Sequence, residues 1–245
     1  MLLLVTLLNA VVNTEARWRT INVFEPHVAA LNDVRTPPVS HSQVKQDRTV
    51  AAMHPVPGYF VDLAANDATH LSNTLMLERD LGWSGLCVEA NPQYWQGLSR
   101  RTCKLAGVAV GAVTGRTALF EFRYWAGGRV GPGYDNKNPR SKSAKNVTLV
   151  SLVDVFRRFS VPRTIGYFSL DVEGGEMDVM STFPWDSHTI ELMTVERPTH
   201  QLKSLLRKNN MVYLRNHGGF GDEMWCRADL AQSYRAVLAS SPLAS

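Results

Sequence analysis

The sequence is poor in the features that mark metal-binding, dinucleotide-binding and membrane-spanning proteins. It has three cysteines, Cys87, Cys103 and Cys226, and none falls in a CxxC or zinc-ligand spacing. Cys87 and Cys103 sit in apolar, strand-like runs, where a free thiol acts as a small hydrophobe. No metal site is expected: Asp171 and Glu173 could form half of a magnesium site, but carboxylates two residues apart near a strand end are common. No G-x-G-x-x-G is present, so a dinucleotide pyrophosphate has no close backbone cradle, which argues against a nicotinamide oxidoreductase. No apolar run reaches the roughly 20 residues of a membrane span. Residues 1–12 are mostly apolar and suit the core of a signal peptide, yet no basic residue precedes them and no small-residue cleavage site follows. Secretory, membrane-anchored and cytoplasmic locations all stay open, with membrane association through residues 1–12 as one reading.

Charge is also scarce. The formal net charge of +4 does not argue for a nucleic-acid partner. Residues 123–145 hold six basic residues (Arg123, Arg129, Lys137, Arg140, Lys142, Lys145) against one acid, Asp135, so the rest of the chain is about neutral. Such a patch either steers an anionic partner or is a solvated loop. Arg140 and Lys142 are its candidates for holding an anionic acceptor. Asn146-Val147-Thr148 is a glycosylation sequon that runs into a strand-like segment.

What remains is a chain of 245 residues, 44% hydrophobic, able to bury one sizeable core. Residues 1–57, with Pro26, Pro37, Pro38, Pro55 and Pro57, read as an apolar segment and a leader, with a short helix around 42–53. From Gly58 the pattern changes. An apolar strand over 58–63 carries an acid near its end. A helix over 72–81 follows, with Ser72 as its cap and Gly82 as its stop. A strand spans 84–89, Pro92 opens a helix to about 101, and a third strand covers 105–110. This rhythm predicts an α/β protein with a parallel, doubly wound sheet and right-handed crossovers. An added strand at 117–125 leads into the Gly-rich basic loop. Then come a helix (152–159), a strand (165–172), a helix (174–182), a strand (189–196) and a helix (201–208). Segments 211–215 and 222–226 form an antiparallel pair around the turn at 217–221. The domain is expected over 58–235, with a tail at 236–245.

In an open α/β sheet, ligands bind beyond the carboxyl ends of the strands. Four predicted strands carry acids there: Asp62, Glu89, Asp171 and Glu196. After Asp62 the small residues Ala64, Ala65 and Asn66 let a ligand approach the backbone. Glu89 lies 27 residues beyond Asp62, in the range where a carboxylate accepts hydrogen bonds from ribose hydroxyls. With no phosphate loop, a nucleoside without phosphates is the better fit than a dinucleotide.

Three blocks carry a resemblance: residues 60–67 (FVDLAAND), 89–92 (EANP) and 170–176 (LDVEGGE). In this order and spacing, with Leu77-Glu78-Arg79 and residues 82–86 between the first two, the chain resembles the FkbM-type methyltransferases over roughly 46–225. The resemblance implies a Rossmann-like class I methyltransferase fold, mostly parallel with an antiparallel last strand. It also implies S-adenosylmethionine as cofactor and, mostly, O-methylation of a small molecule or glycan. Asp62 and the Ala64–Asn66 turn would hold the methionine part. Glu89, with Ala90 and Asn91 beside it, would bind the ribose, and Ala109 and Val110 would border the adenine. Asp171 would be the base, with Glu196 second, and Glu173 and Glu176 would lie against the acceptor.

The resemblance breaks at Ala64 and Ala68, where such proteins usually have glycine. Alanine fits there if φ is negative and is strained if φ is positive. Those alanines leave room for another reading, a non-catalytic, membrane-anchored binding module of the same fold. Other residues have plainer readings. Glu173 and Glu176 suit the positive end of a helix dipole, Glu196 can pair with Arg197, and His217 fits a turn better than a catalytic base. Trp83, Trp95, Trp185 and Trp225 suit core or rim.

Overall fold

The structure, a computed structural model, describes residues 21–24, 37–123, 127–137 and 144–240. Its strands are β1 (Asn22–Phe24), β2 (Tyr59–Leu63), β3 (Ser84–Glu89), β4 (Lys104–Gly107), β5 (Ala109–Val110), β6 (Thr117–Phe122), β7 (Gly127–Arg129), β8 (Lys145–Val150), β9 (Thr164–Leu170), β10 (Thr189–Val195), β11 (Met211–His217) and β12 (Asp222–Arg227). Its α-helices are α1 (Gln46–Met53), α2 (Leu75–Leu81), α3 (Pro92–Leu98), α4 (Leu152–Phe159), α5 (Glu176–Met180), α6 (His200–Lys208) and α7 (Ala231–Ser240).

The protein is α/β with mixed sheets. Eight strands form the main sheet in the order β1-β4-β3-β2-β9-β10-β12-β11. The run from β4 to β10 is parallel, whereas β12 is antiparallel to both of its neighbours and β1 is antiparallel to β4. Side chains alternate across this sheet, so each strand feeds two cores. Val61, Leu63, Val88, Phe168 and Trp225 join one cluster, and Phe60, Cys87, Tyr167, Leu192 and Met224 join the other. That two-sided burial is why the strands read as nearly continuous apolar runs.

Several sequence expectations are corrected. Ser72 does not cap a helix at 72. Its Oγ accepts from the Leu75 and Thr74 N–H groups in a turn, and the helix starts at Leu75. The strand expected over 105–110 divides at Val108 into β4 and β5, which belong to different sheets. The helix expected over 174–182 is the shorter α5. Part of the Gly-rich stretch is not loop, because β7 pairs with β6 as a hairpin inside a second sheet, β5-β8-β6-β7. The leader is structured where it is described: β1 extends the main sheet, and α1 packs against α2 and α7. Its anchor is Asp47, whose buried carboxylate accepts from the hydroxyls of Ser40 and Ser42 and from three backbone N–H groups. The expected tail is helical to Ser240. Cys87 and Cys103 are not free thiols. They form a disulfide with Cα atoms 5.9 Å apart, wholly buried beside Phe60 and Leu105. Residues 1–12, Arg140 and Lys142 lie outside the described residues, among which no helix is long and apolar enough to cross a membrane.

Candidate active site

The parallel strands β3, β2, β9 and β10 end together on one edge of the main sheet, and a cavity of about 370 Å³ opens there. That is the size of a small-molecule site. All nine residues expected to hold a cofactor line it: Asp62, Ala64, Ala65, Asn66, Glu89, Ala90, Asn91, Ala109 and Val110. Asp171, Glu173 and Glu196 line it too, whereas Glu176 does not. Phe120, Phe122, Gly128 and Arg129 of the second sheet complete the wall.

The turn after β2 is built by its neighbours. The N–H groups of Ala64 and Ala65 both donate to the Val88 carbonyl, at 2.9 and 3.1 Å, and the Asn66 N–H donates to Glu89 Oε2 at 2.8 Å. Ala64 takes φ of 64°, so the glycine-like position is strained; Ala68 has no positive φ. Among the described residues, four of the eight non-glycine residues with positive φ line this one cavity: Ala64, Asn66, Leu71 and Glu173. Strain of this kind persists where surrounding structure over-determines it.

Glu89 accepts a second N–H, from Asn91 at 2.6 Å, so each of its oxygens is held with a lone pair left over. Burial pushes its carboxyl up to about 7. Asp62 is more structural than its sequence position suggests. It is 2% exposed and accepts from Thr74 Oγ1 at 2.6 Å. Thr74 in turn accepts from Arg101, whose buried guanidinium also holds Glu78 at 2.7 Å and Ser72 at 2.9 Å. Burial still raises the Asp62 pKa.

Beyond β2 the acids face each other. Burial, a hydrogen bond with Glu196 and the charges of Glu196, Glu173 and Glu176 hold the Asp171 carboxyl well above the usual range. Burial and the charges of Glu196 and Asp135 lift Glu173 to about 7. Asp222, which sequence reasoning missed, stands beside Glu196 at the start of β12, with its pKa pushed up to about 6 by burial and by Glu196. Its Oδ1 is buried with no hydrogen-bond partner among the described residues. Arg197 is the cation here, 2.7 Å from Glu196 and also paired with Asp135. Ligand oxygens of Asp171, Glu176 and Glu196 come within 4.8 Å of one another, as do those of Asp135, Glu173 and Glu196. The spacing of Asp171 and Glu173 alone did not reveal that proximity. Glu176 works from behind the wall: its Oε1 accepts from the N–H groups of Val172 and Gly174, both at 3.1 Å, and so shapes the Asp171 turn. Gly174 has φ of 91°, and a Cβ there would lie 3.0 Å from Tyr134 Cα and Asp135 N, so only glycine fits.

Asn73 was also missed. It lines the cavity, donates from Nδ2 to Ser169 Oγ at 3.0 Å, and leaves Oδ1 buried and without a partner among the described residues. Polar residues between a strand and a helix carry no periodic signal, so nothing in the sequence separated it from a cap. Gln43 and Gln46 reach the wall from the segment read as leader. His217 is buried at the end of β11 and does not line the cavity, in keeping with a structural role.

An α/β protein with a cavity at the carboxyl edge of its parallel strands and carboxylates closing four of them is, in class, a small-ligand enzyme fold. Residues 62–218, well over half of the chain, match the methyltransferase FkbM domain, and the chain belongs to that family. None of the curated proteins compared with it matches. Among solved structures it is similar to precorrin-6y C5,15-methyltransferase from Geobacter metallireducens GS-15. That likeness has 9% identity and a TM-score of 0.38, and covers 82% of this chain and 91% of the other.

Proposed function

We propose that the protein is an S-adenosylmethionine-dependent O-methyltransferase that acts on a hydroxyl of a small molecule or glycan. The strand order β4-β3-β2-β9-β10-β12-β11, with β12 alone reversed among the seven, supports reading the fold as the Rossmann-like class I type. The observation that carries the function is one continuous wall with a tethered Glu89 on one side and Asp171 two strands away. At about 4.8 Å per strand, that separation is roughly 10 Å, the scale of a nucleoside with its methyl group beyond it.

The residues fit such a group. The free lone pairs of Glu89 suit two ribose hydroxyls, and Ala109 and Val110 offer an apolar edge to a base. The orphaned Asn73 Oδ1 suits an ammonium at the amino-acid end. When bound, S-adenosylmethionine supplies a methyl group on a sulfonium, open to in-line displacement. The chain's own part is to orient the acceptor, exclude water and take a proton. Asp171 takes the proton of the acceptor hydroxyl. Its raised pKa makes it a stronger base than a surface carboxylate, and Glu196 shares the hydrogen bond that positions it. Glu173 lies beside the acceptor. An anionic group on the acceptor would be held by Arg140 and Lys142, which lie outside the described residues. The described cations of the wall, Arg123 and Arg129, are already paired with Glu121 and Asp178.

The strained Ala64 favours a second reading, a non-catalytic module of the same fold. Calorimetric titration with S-adenosylmethionine, S-adenosylhomocysteine and NAD separates the readings. Binding of the first two and not the third is expected. Binding of none supports the non-catalytic module, and binding of NAD alone sinks the methyltransferase proposal.

A further inference from the structure

We propose that Asn146 carries an N-linked glycan, added as the chain folds in an oxidising compartment. Two observations outside the cavity carry this, and neither depends on the function proposed above.

The first is the disulfide. Cys87 lies in β3 and Cys103 one residue before β4, and both are wholly buried in the core on one face of the main sheet. A bond of this kind, inside a core and apart from the cavity described above, is structural. It persists where the surroundings are oxidising and is rare where glutathione keeps thiols reduced. Cys226 is buried and unpaired, so the described chain holds one bridge and one spare thiol.

The second is the placement of the sequon. Asn146 and Thr148 lie in β8, with Val147 between them in place of the proline that would block the reaction. Val147 and Leu149 pack into the small cluster with Ala118 and Phe120, which fixes the inner face of the second sheet. Alternation along the strand turns Asn146 the other way, and it is exposed. No residue of β8 lines the cavity, so a glycan here leaves the site open.

The chemistry is ordinary for that compartment. The co-substrate is a lipid-linked oligosaccharide diphosphate. The Asn146 amide nitrogen bonds to the anomeric carbon, the bond from that carbon to the diphosphate oxygen breaks, and the lipid diphosphate leaves while the amide gives up one proton. Transfer precedes pairing of β8 with β6, where Asn146 stands opposite Leu119.

The test is expression of the full chain in eukaryotic cells. Treatment with peptide-N-glycosidase should raise gel mobility by one glycan and convert Asn146 to aspartate in the recovered peptide. The shift should vanish in Asn146→Gln and Thr148→Ala and persist in Thr148→Ser. Denaturing alkylation without reductant should label Cys226 and spare Cys87 and Cys103. An unmodified Asn146 in protein with the disulfide intact overturns the glycan. Labelling of all three thiols overturns the oxidising compartment and the glycan with it. The aspartate readout is made on the unaltered chain, so a variant that misfolds does not blunt the result.

Discussion

The two halves of the cavity handle negative charge in opposite ways. On the side of β3 and β2, each carboxylate has its own donors: two backbone N–H groups for Glu89, and Thr74 with Arg101 behind it for Asp62. On the side of β9, β10 and β12, Asp171, Glu173, Glu196 and Asp222 crowd one another near the guanidinium of Arg197, the cation found there among the described residues. The carboxylates of the first half are satisfied before any ligand arrives, so that half can recognise one by shape and hydrogen bonds. The second half is held short of compensation, so its carboxyls bind protons more tightly than exposed ones do and, once ionised, take a proton more readily.

The comparison breaks most readily at Asp171. Asp171→Asn keeps the shape and removes the base, so the turnover rate should fall by about 10²-fold or more while S-adenosylhomocysteine affinity barely changes. A variant that turns over like wild type would remove Asp171 from the chemistry. The mirror experiment is Glu89→Ala. It should weaken S-adenosylhomocysteine by about 1.5–3 kcal/mol for each hydrogen bond lost. Unchanged affinity by calorimetry would leave Glu89 a mere brace for the Asn66 turn.

A gentler probe is pH. The folded-state pKa values of Glu89 and Glu173, about 7, and of Asp222, about 6, lie above ordinary carboxyl values. The native protein therefore binds more protons than the unfolded chain between the ordinary carboxyl range and pH 7. Stability of the ligand-free protein should fall as pH rises through that window. Melting curves taken across it should show the decline, and Asp222→Asn should flatten it. A melting temperature that climbs through the window would contradict the crowded half.

The smallest effect concerns backbone strain in the satisfied half. A non-glycine residue in the left-handed region costs about 1–2 kcal/mol, and glycine returns about 0.4–1 of that through the unfolded chain. Ala64→Gly should thus stabilise by roughly 0.5 kcal/mol, while Ala68→Gly, with no positive φ to relieve, should destabilise by about as much. Two shifts of the same sign in denaturant melts would dismiss the strain.

How much of this was legible follows from where each signal resides. Asp62, Glu89, Asp171 and Glu196 could be placed on one edge because strand ends are readable from apolar runs, and parallel strands share an edge. The Asp62–Thr74–Arg101–Glu78 network was not readable, since it joins β2, α2 and the segment after α3 through contacts with no fixed spacing. Asp222 was hidden because its role depends on β12 running antiparallel beside β10, a fact of topology and not of pattern. The second sheet was hidden by its glycines, which look like loop in sequence although β7 pairs with β6. The disulfide was obscured by apolar runs in which either cysteine could pass for core.

The reversed strand has a consequence for how the protein is made. β10 pairs with β12, not with β11, so during synthesis its outer edge waits for a partner that emerges last of the described strands. Ile190, Leu192 and Met193 belong to that waiting strand, and open apolar edges are templates for misassociation. β11 and β12 are joined by a short turn and can close on each other first, then dock as a finished hairpin. A ribosome stalled before Asp222 would hold a sheet with its sticky edge bare, a natural client for a chaperone.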